Sequence, residues 1–245
     1  MVARPHVGRG ARRRRLVLSH VAASQIESRA FAAFLFDMDG TILTSVAAAE
    51  RVWTRWAERH GLDAATFVPT IHGKRAVDTI GELGLAGVDT VAEAAQLTRD
   101  EIADVAGVEP IEGAVAFLSS LPADRWAIVT SSPRELAKVR LAAAGIVAPA
   151  VLVTAEDVVR GKPAPDGFRL AAERLGFDAR DCLIFEDAPA GIKAAEAAGG
   201  TVMVVSATHA HPLVTPHATM ASYDDLKLSV GAAGLRVVDR SRAFS

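Results

Sequence analysis

Short apolar runs alternate with helical patterns along most of this chain. The runs are residues 31–36 (FAAFLF), WAIV, VLV, CLIF and VMVV, and the segments between the later runs are rich in helix formers, as in RELAKVRLAAAG and GFRLAAERLG. Strands that alternate with helices form a parallel sheet, and the connections between them are almost always right-handed. The sequence therefore predicts an α/β fold, a doubly wound parallel sheet.

Residues 45–108 interrupt this alternation, because they contain helical patterns and no convincing strand. In SVAAAERVWTRWAERHG, Trp53 and Trp56 belong to a set of apolar positions at helical spacing, and a glycine follows as a stop. We predict a helical cap over 45–108, inserted into a core formed by 31–44 and 109–245. The insert departs directly after the first strand, so it is positioned to cover the end of that strand. The spacing favours packing of both tryptophans inside the cap over stacking on a sugar.

Composition argues against several classes of function. The 245 residues are 50% hydrophobic, enough for a sizeable core, and the net charge of −2 gives no basic field for nucleic acid. No apolar stretch is long enough to span a bilayer. The single cysteine, Cys182, lies in an apolar run, so we expect a buried residue, no internal disulfide and a reducing compartment. These features predict a cytoplasmic monomer or weak homodimer with no nucleic-acid or membrane partner.

The first thirty residues differ from the rest of the chain. They carry six arginines up to Arg15 and no acidic residue before Glu27. We predict that residues 1–30 are a basic, disordered N-terminal extension. Two alternatives stay open, a secretory signal and a nucleic-acid-binding arm. The apolar segment LVLSHVAAS is short and interrupted for a signal, and no typical cleavage site follows it.

Polar side chains follow three of the predicted strands, and a lysine lies in a proline-rich loop between them. They are Asp37 and Asp39, Thr130 and Ser131, Lys162 in GKPAPD, and Glu186 and Asp187. The carboxyl ends of parallel strands share one sheet edge, so these groups converge. Carboxylates this close require a cation or a shared proton, and oxygen ligands favour Mg²⁺. A lysine and a hydroxyl suit a phosphate. The pattern predicts a phosphoryl-transfer site.

Four motifs in order, DMDGT, IVTSS, GKPAPD and ED, give the chain a family resemblance. Together they resemble the haloacid dehalogenase-like hydrolases, over residues 31 to about 225. The insert between the first two motifs is similar to the C1-type cap of that family. The segments IHGK and EDAPAGIKAAEAAG look more narrowly like the bacterial hexose and polyol phosphate phosphatases. One departure is Thr44, where many relatives have Asp. The resemblance implies a Rossmann-like core with an α-helical cap domain.

The resemblance also implies an activity, a Mg²⁺-dependent hydrolysis of small sugar or polyol phosphates through an aspartyl-phosphate. Asp37 would attack phosphorus, and Asp39 would protonate the leaving oxygen and then activate water. The remaining implied roles are phosphate binding by Thr130, Ser131 and Lys162, and Mg²⁺ binding by Asp37, the Asp39 backbone carbonyl, Glu186 and Asp187. Whether Glu186 is a direct metal ligand stays open at this point.

The segment IHGK is the candidate for substrate contact within the cap. Gly73 permits close backbone approach, and Lys74 has the reach to bind a sugar hydroxyl or a phosphate, with His72 beside them. The alternative is a surface loop at a helix start. Downstream, His209 and His211 are interpreted as incidental to the chemistry.

Two other functions compete with the phosphatase. A phosphomutase of the β-phosphoglucomutase type shares the four motifs, but such relatives carry a histidine about a dozen residues after the nucleophile, where this chain has Ala49. The alanine favours water as the acceptor. A non-catalytic regulatory protein would be expected to have a broken motif, and all four are intact.

Overall fold

The computed structural model describes residues 26–211 and 213–239. Most of the predicted basic extension, residues 1–25, therefore lies outside the described residues. The strands are β1 (Ala33–Phe36), β2 (Leu43–Thr44), β3 (Glu109–Pro110), β4 (Trp126–Val129), β5 (Val151–Val153), β6 (Cys182–Glu186), β7 (Thr201–Val205), β8 (Ala218–Met220), β9 (Leu226–Gly231) and β10 (Gly234–Asp239).

Eight α-helices connect these strands in the described part of the chain. They are α1 (Val46–Arg59), α2 (Ala64–Phe67), α3 (Ala76–Leu83), α4 (Thr90–Ala103), α5 (Ala114–Ser119), α6 (Arg134–Ala143), α7 (Asp166–Arg174) and α8 (Pro189–Ala198). None of the described helices is long and apolar enough to cross a membrane.

Six strands form one parallel sheet in the order β5–β4–β1–β6–β7–β8. The strand order reverses beside β1, and a crevice opens at such a point beyond the carboxyl ends of the strands. The predicted doubly wound α/β fold is confirmed. The hairpin of β9 and β10 lies outside this sheet and pairs antiparallel.

The sheet is buried on both faces. Successive side chains of β1 point to opposite sides, so Phe34 and Phe36 join one apolar cluster while Ala33 and Leu35 join another. On the aromatic face, the rings of Phe36 and Phe185 stack with centroids 4.6 Å apart. This packing fixes β1 against β6, and it thereby fixes the residues that follow each strand.

Helices α1 to α4, residues 46–103, form a helical insert with its own apolar cluster. The chain leaves and rejoins the core through β2 and β3, which pair antiparallel with Leu43 opposite Pro110. Trp53 and Trp56 lie in the cluster of the insert, with ring centroids 5.6 Å apart, and the indole nitrogen of Trp56 donates to Glu93 at 2.9 Å.

Cys182 is fully buried at the start of β6. Burial raises the pKa of its thiol to about 12, so the sulfur stays protonated at neutral pH. The thiol lies at the opposite end of β6 from Glu186 and plays no part in the chemistry described below.

Replacing Trp56 with alanine tests whether the insert depends on its own apolar cluster. Trp56 has no exposed surface, so W56A should lower the free energy of unfolding by about 3–5 kcal/mol, measured by urea denaturation. Val91→Ala is the control, because this residue of α4 is 70% exposed and its loss should change stability by less than about 0.5 kcal/mol. Equal stability of W56A and V91A would contradict the assignment.

Candidate active site

Asp37 directly follows β1 and is held by a buried lysine. The Lys162 ammonium donates to Asp37 Oδ1 at 2.5 Å and to Glu186 Oε1 at 2.7 Å, and all three side chains are at least nine-tenths buried. β1 and β6 are neighbours with Phe36 opposite Phe185, so their following carboxylates face each other across the lysine. The loop before α7 supplies that lysine from the other side of the sheet edge.

Burial and neighbouring charges both shift the pKa values of Asp37 and Lys162. Burial raises the pKa of Asp37 to about 7, and Glu186 adds to this while Lys162 opposes it. Burial alone would lower the pKa of Lys162, but the carboxylates of Asp37 and Glu186 outweigh it and raise that pKa above its usual range. Lys162 is therefore a permanent cation in this site.

Asp37, Glu186 and Asp187 form a cluster that could hold a metal ion. Each offers a carboxylate oxygen, and these oxygens lie within 4.8 Å of one another. Burial, reinforced by the neighbouring carboxylates, raises the pKa of Asp187 well above its usual range. Three buried carboxylates with one ammonium leave an excess of negative charge, which a hard divalent cation with oxygen ligands neutralises. The donor set therefore fits Mg²⁺.

Two glycines make room for this cluster. Gly40 has a φ of +90°, and a Cβ there would lie 2.0 Å from Asp187 Oδ2. Gly191, in the first turn of α8, leaves space for Glu186, since a Cβ at this position would lie 1.5 Å from Glu186 Oε1. Nothing in the sequence singles out Gly191, because a glycine within a predicted helix does not by itself show which side chain needs the space.

Both carboxylate oxygens of Glu186 accept a hydrogen bond from the protein. Its Oε1 accepts from Lys162, and its Oε2 accepts from the backbone N–H of Ala188 at 2.7 Å. These two bonds orient the carboxylate and place Lys162 against Asp37. The side chain therefore positions the lysine in addition to standing beside the candidate metal ligands.

Thr130 and Ser131 follow β4 at the same edge. The Thr130 hydroxyl is buried and accepts the backbone N–H of Ser132 at 3.0 Å, while its backbone N–H donates to Val153. Ser131 donates its hydroxyl to the carbonyl of Gly73 in the insert, at 3.0 Å. The predicted phosphate-binding turn thus contacts the IHGK loop directly.

The IHGK loop lines the same cavity as Asp37 and Asp39. Gly73 has a φ of +80°, and a Cβ there would lie 2.7 Å from the Ala188 Cβ, so the loop approaches the turn after β6 closely. Burial lowers the pKa of His72, so its imidazole is neutral at pH 7. Lys74 also lines the cavity, and its ammonium pairs with Glu82 at 2.7 Å.

Asp39 is held by donors that sequence reasoning missed. Ser45 donates to its Oδ1 at 2.6 Å, Ser132 to its Oδ2 at 3.0 Å, and Arg140 to its Oδ1 at 3.0 Å. One signal in the sequence points to Arg140, which lies four residues after Leu136 on the apolar side of its helix.

The two histidines near the sheet edge differ in their surroundings. The Nε2 atom of His209 lies 3.0 Å from the Asp187 carbonyl oxygen. A carbonyl only accepts, so this nitrogen carries the proton. The contact fixes the turn that bears Asp187. His211 is exposed.

Comparison with known proteins gives the family. The family model for haloacid dehalogenase-like hydrolases matches residues 31–199 of the sequence. The chain belongs to the haloacid dehalogenase-like hydrolases. It is 43% identical to hexitol phosphatase A of Escherichia coli over 178 residues, which are 71% of this chain and 82% of that protein.

Further relatives of this haloacid dehalogenase-like hydrolase agree with the assignment. Glycerol-1-phosphate phosphohydrolase 1 of Saccharomyces cerevisiae is 34% identical over 189 residues, 72% of this chain and 75% of that one. A crystal structure of a family hydrolase from Deinococcus radiodurans, with bound phosphate and sodium, is 29% identical with a TM-score of 0.54, covering 74% and 83% of the two chains. The predicted family and enzyme class, a hydrolase, are confirmed.

Substitution of Gly191 tests the space that Glu186 occupies. G191A should displace the Glu186 carboxylate, and with it Lys162, so we expect a loss of stability of about 1–3 kcal/mol from overpacking. Thermal or urea unfolding measures it. Gly231→Ala is the matched control, since a Cβ there meets nothing within 4 Å. Wild-type stability of G191A would refute the tight packing of Glu186 against α8.

Proposed function

We propose that this hydrolase is a Mg²⁺-dependent phosphatase of small sugar or polyol phosphates that acts through an aspartyl-phosphate on Asp37. The observation that carries the proposal is the buried Asp37 carboxylate, paired with Lys162 and flanked by two further carboxylates and the Thr130 hydroxyl. The names of the relatives support the substrate class, since they are phosphatases of hexitol and glycerol phosphates.

Asp37 is the proposed nucleophile. Its oxygen would attack phosphorus, and the leaving sugar oxygen would depart with a proton. Lys162 balances the charge of this carboxylate and of the phosphoryl group as they approach each other. Bound by Asp37, Asp187 and the Asp39 backbone carbonyl, with Glu186 beside them, Mg²⁺ would neutralise the remaining negative charge.

Asp39 is the proposed general acid and base. Its carboxylate lines the cavity that also contains Asp37, so it can serve the oxygen on the far side of phosphorus. It would protonate the leaving alkoxide and then take a proton from the water that hydrolyses the aspartyl-phosphate. An alkoxide is a strong base, so this proton transfer lowers the barrier for sugar and polyol substrates.

Substrate recognition is proposed for two elements that touch. Thr130, Ser131 and Lys162 would bind the phosphoryl oxygens, while His72 and Gly73 face the cavity from the insert. Lys74 would have to leave its ion pair with Glu82 to reach a substrate. Specificity among sugar and polyol phosphates would then depend on the insert side of the cavity.

The phosphomutase alternative lacks the histidine expected about a dozen residues after the nucleophile. Ala49 lines the cavity and carries no group that could relay a proton to a returning sugar hydroxyl. Water is therefore the favoured acceptor of the phosphoryl group. The regulatory alternative would leave the buried Asp37–Lys162–Glu186 arrangement without a use.

Phosphate release from a panel of hexitol, hexose and glycerol phosphates, with and without Mg²⁺, tests the proposal. We expect release that requires Mg²⁺ and that falls to the enzyme-free blank in Asp37→Asn, because the amide is a poor nucleophile. Acid quenching during turnover, followed by mass spectrometry, should locate a phosphoryl group on Asp37. Asp178→Asn, an exposed carboxylate paired with Arg180, is the control and should retain full activity.

Two results would contradict the phosphatase. Conversion of a hexose 1-phosphate to the 6-phosphate without phosphate release would favour the mutase. Phosphate release that survives in D37N would assign the nucleophile elsewhere.

A further inference from the structure

Arg140 is a buried cation that belongs to none of the four motifs. It lies on the core side of α6 and is 5% exposed. Its Nη1 donates to Asp39 Oδ1 at 3.0 Å, and its Nη2 donates to Glu101 Oε1 at 3.0 Å. The guanidinium thus bridges a carboxylate of the core and a carboxylate of the helical insert.

Both oxygens of Asp39 are engaged in this network. Oδ1 accepts from Ser45 and Arg140, and Oδ2 accepts from Ser132. Arg140 Nη1 also lies 3.2 Å from the Ser132 hydroxyl, so it contacts both Asp39 and one of the serines that hold the Asp39 rotamer. A proton donor must stand within hydrogen-bond reach of its target, so fixing this rotamer bears directly on proton transfer.

Glu101 anchors the other end of the bridge. It lies on α4 of the insert and is 8% exposed. A buried carboxylate is costly without a cationic partner. Among the described residues, the cation that pairs with Glu101 is Arg140. The position of Arg140 therefore depends on where α4 lies.

The geometry requires arginine rather than a generic positive charge. A guanidinium presents separate N–H groups in a fixed plane, so Nη1 and Nη2 can each serve a different carboxylate. A lysine ammonium at the end of a flexible chain is a point charge and lacks this fork.

We propose that Arg140 is a positioning residue for Asp39, and that its contact with Glu101 ties this positioning to the docking of the helical insert on the core. The inference rests on the proposed function, in which Asp39 transfers the proton. Arg140 itself touches neither the phosphoryl group nor the leaving oxygen in this role.

Substrates with different leaving groups test this inference. A sugar or polyol alkoxide needs a proton as it departs, whereas p-nitrophenolate is stable without one. Arg140→Met should therefore reduce kcat/KM by about 100-fold for the alkyl phosphate that the wild type hydrolyses best, the usual size of a general-acid contribution. For p-nitrophenyl phosphate the reduction should stay below about fivefold. Its kcat/KM reports the steps up to transfer of the phosphoryl group to the enzyme, and p-nitrophenolate leaves in that transfer without a proton.

Controls separate this role from a structural one. Lys138→Met removes an exposed cation from the same helix, and it should leave both substrates at wild-type values. Circular dichroism and thermal unfolding check that each variant folds. If R140M does not fold, Arg140→Lys keeps the charge without the fork, and the same selective loss is expected.

Glu101→Gln tests the contact with the insert. It keeps the shape of the side chain and removes its charge, so we expect a loss of about tenfold on the alkyl phosphate and none on p-nitrophenyl phosphate. Wild-type values for both substrates in E101Q would overturn the link to the insert.

The outcomes distinguish this inference from the proposed function. If the wild type releases no phosphate from any substrate, the phosphatase proposal fails. If the wild type is active and R140M loses both substrates equally, or neither, the positioning role fails alone.

Discussion

The burial of Lys162 between Asp37 and Glu186 is the interaction on which the rest of the site depends. Each of these charges would be costly inside the protein by itself, so the three are stable only as a set. The set exists because β1 and β6 are adjacent in the sheet and because the loop before α7 reaches their carboxyl ends. The stacking of Phe36 on Phe185 beneath them fixes that adjacency.

The helical insert meets the core through polar contacts around the cavity. Ser131 donates to the Gly73 carbonyl, Arg75 donates to the Val158 carbonyl, and Arg140 pairs with Glu101. The apolar cluster of the insert is separate from the two clusters that pack on the sheet. An interface of this kind specifies how the insert docks without burying a large apolar area, so docking depends on a few identifiable bonds.

The sequence predicted the charged groups of the site that follow strands or belong to a motif, but not Ser45, Ser132 and Arg140, which hold Asp39. An apolar run that ends in carboxylates is a distinctive pattern, so Asp37 and Glu186 are identifiable from the sequence alone. Arg140 is not, because a single arginine in an amphipathic helix is usually on the surface, and only its register with Leu136 places it inside. Strands β8 to β10 were not among the predicted strands. The three residues of β8 are too few to show a period, whereas the six residues of β9 (LKLSVG) alternate and were predictable.

The balance of positive and negative charge differs between the Asp39 side and the Asp37 side of the cavity. Around Asp39, one guanidinium serves two carboxylates, and the serine hydroxyls complete the hydrogen bonds. Around Asp37, one ammonium pairs with two of three buried carboxylates, and burial raises the pKa of Asp37 to about 7. A phosphoryl group would bring further negative charge to this second half, which favours a divalent cation at the Asp37, Glu186 and Asp187 carboxylates over one at the Asp39 carboxylate. The proposed roles follow this division of charge, with Asp37 as the nucleophile beside the cations and Asp39, held by Arg140 and two serines, as the group that transfers the proton.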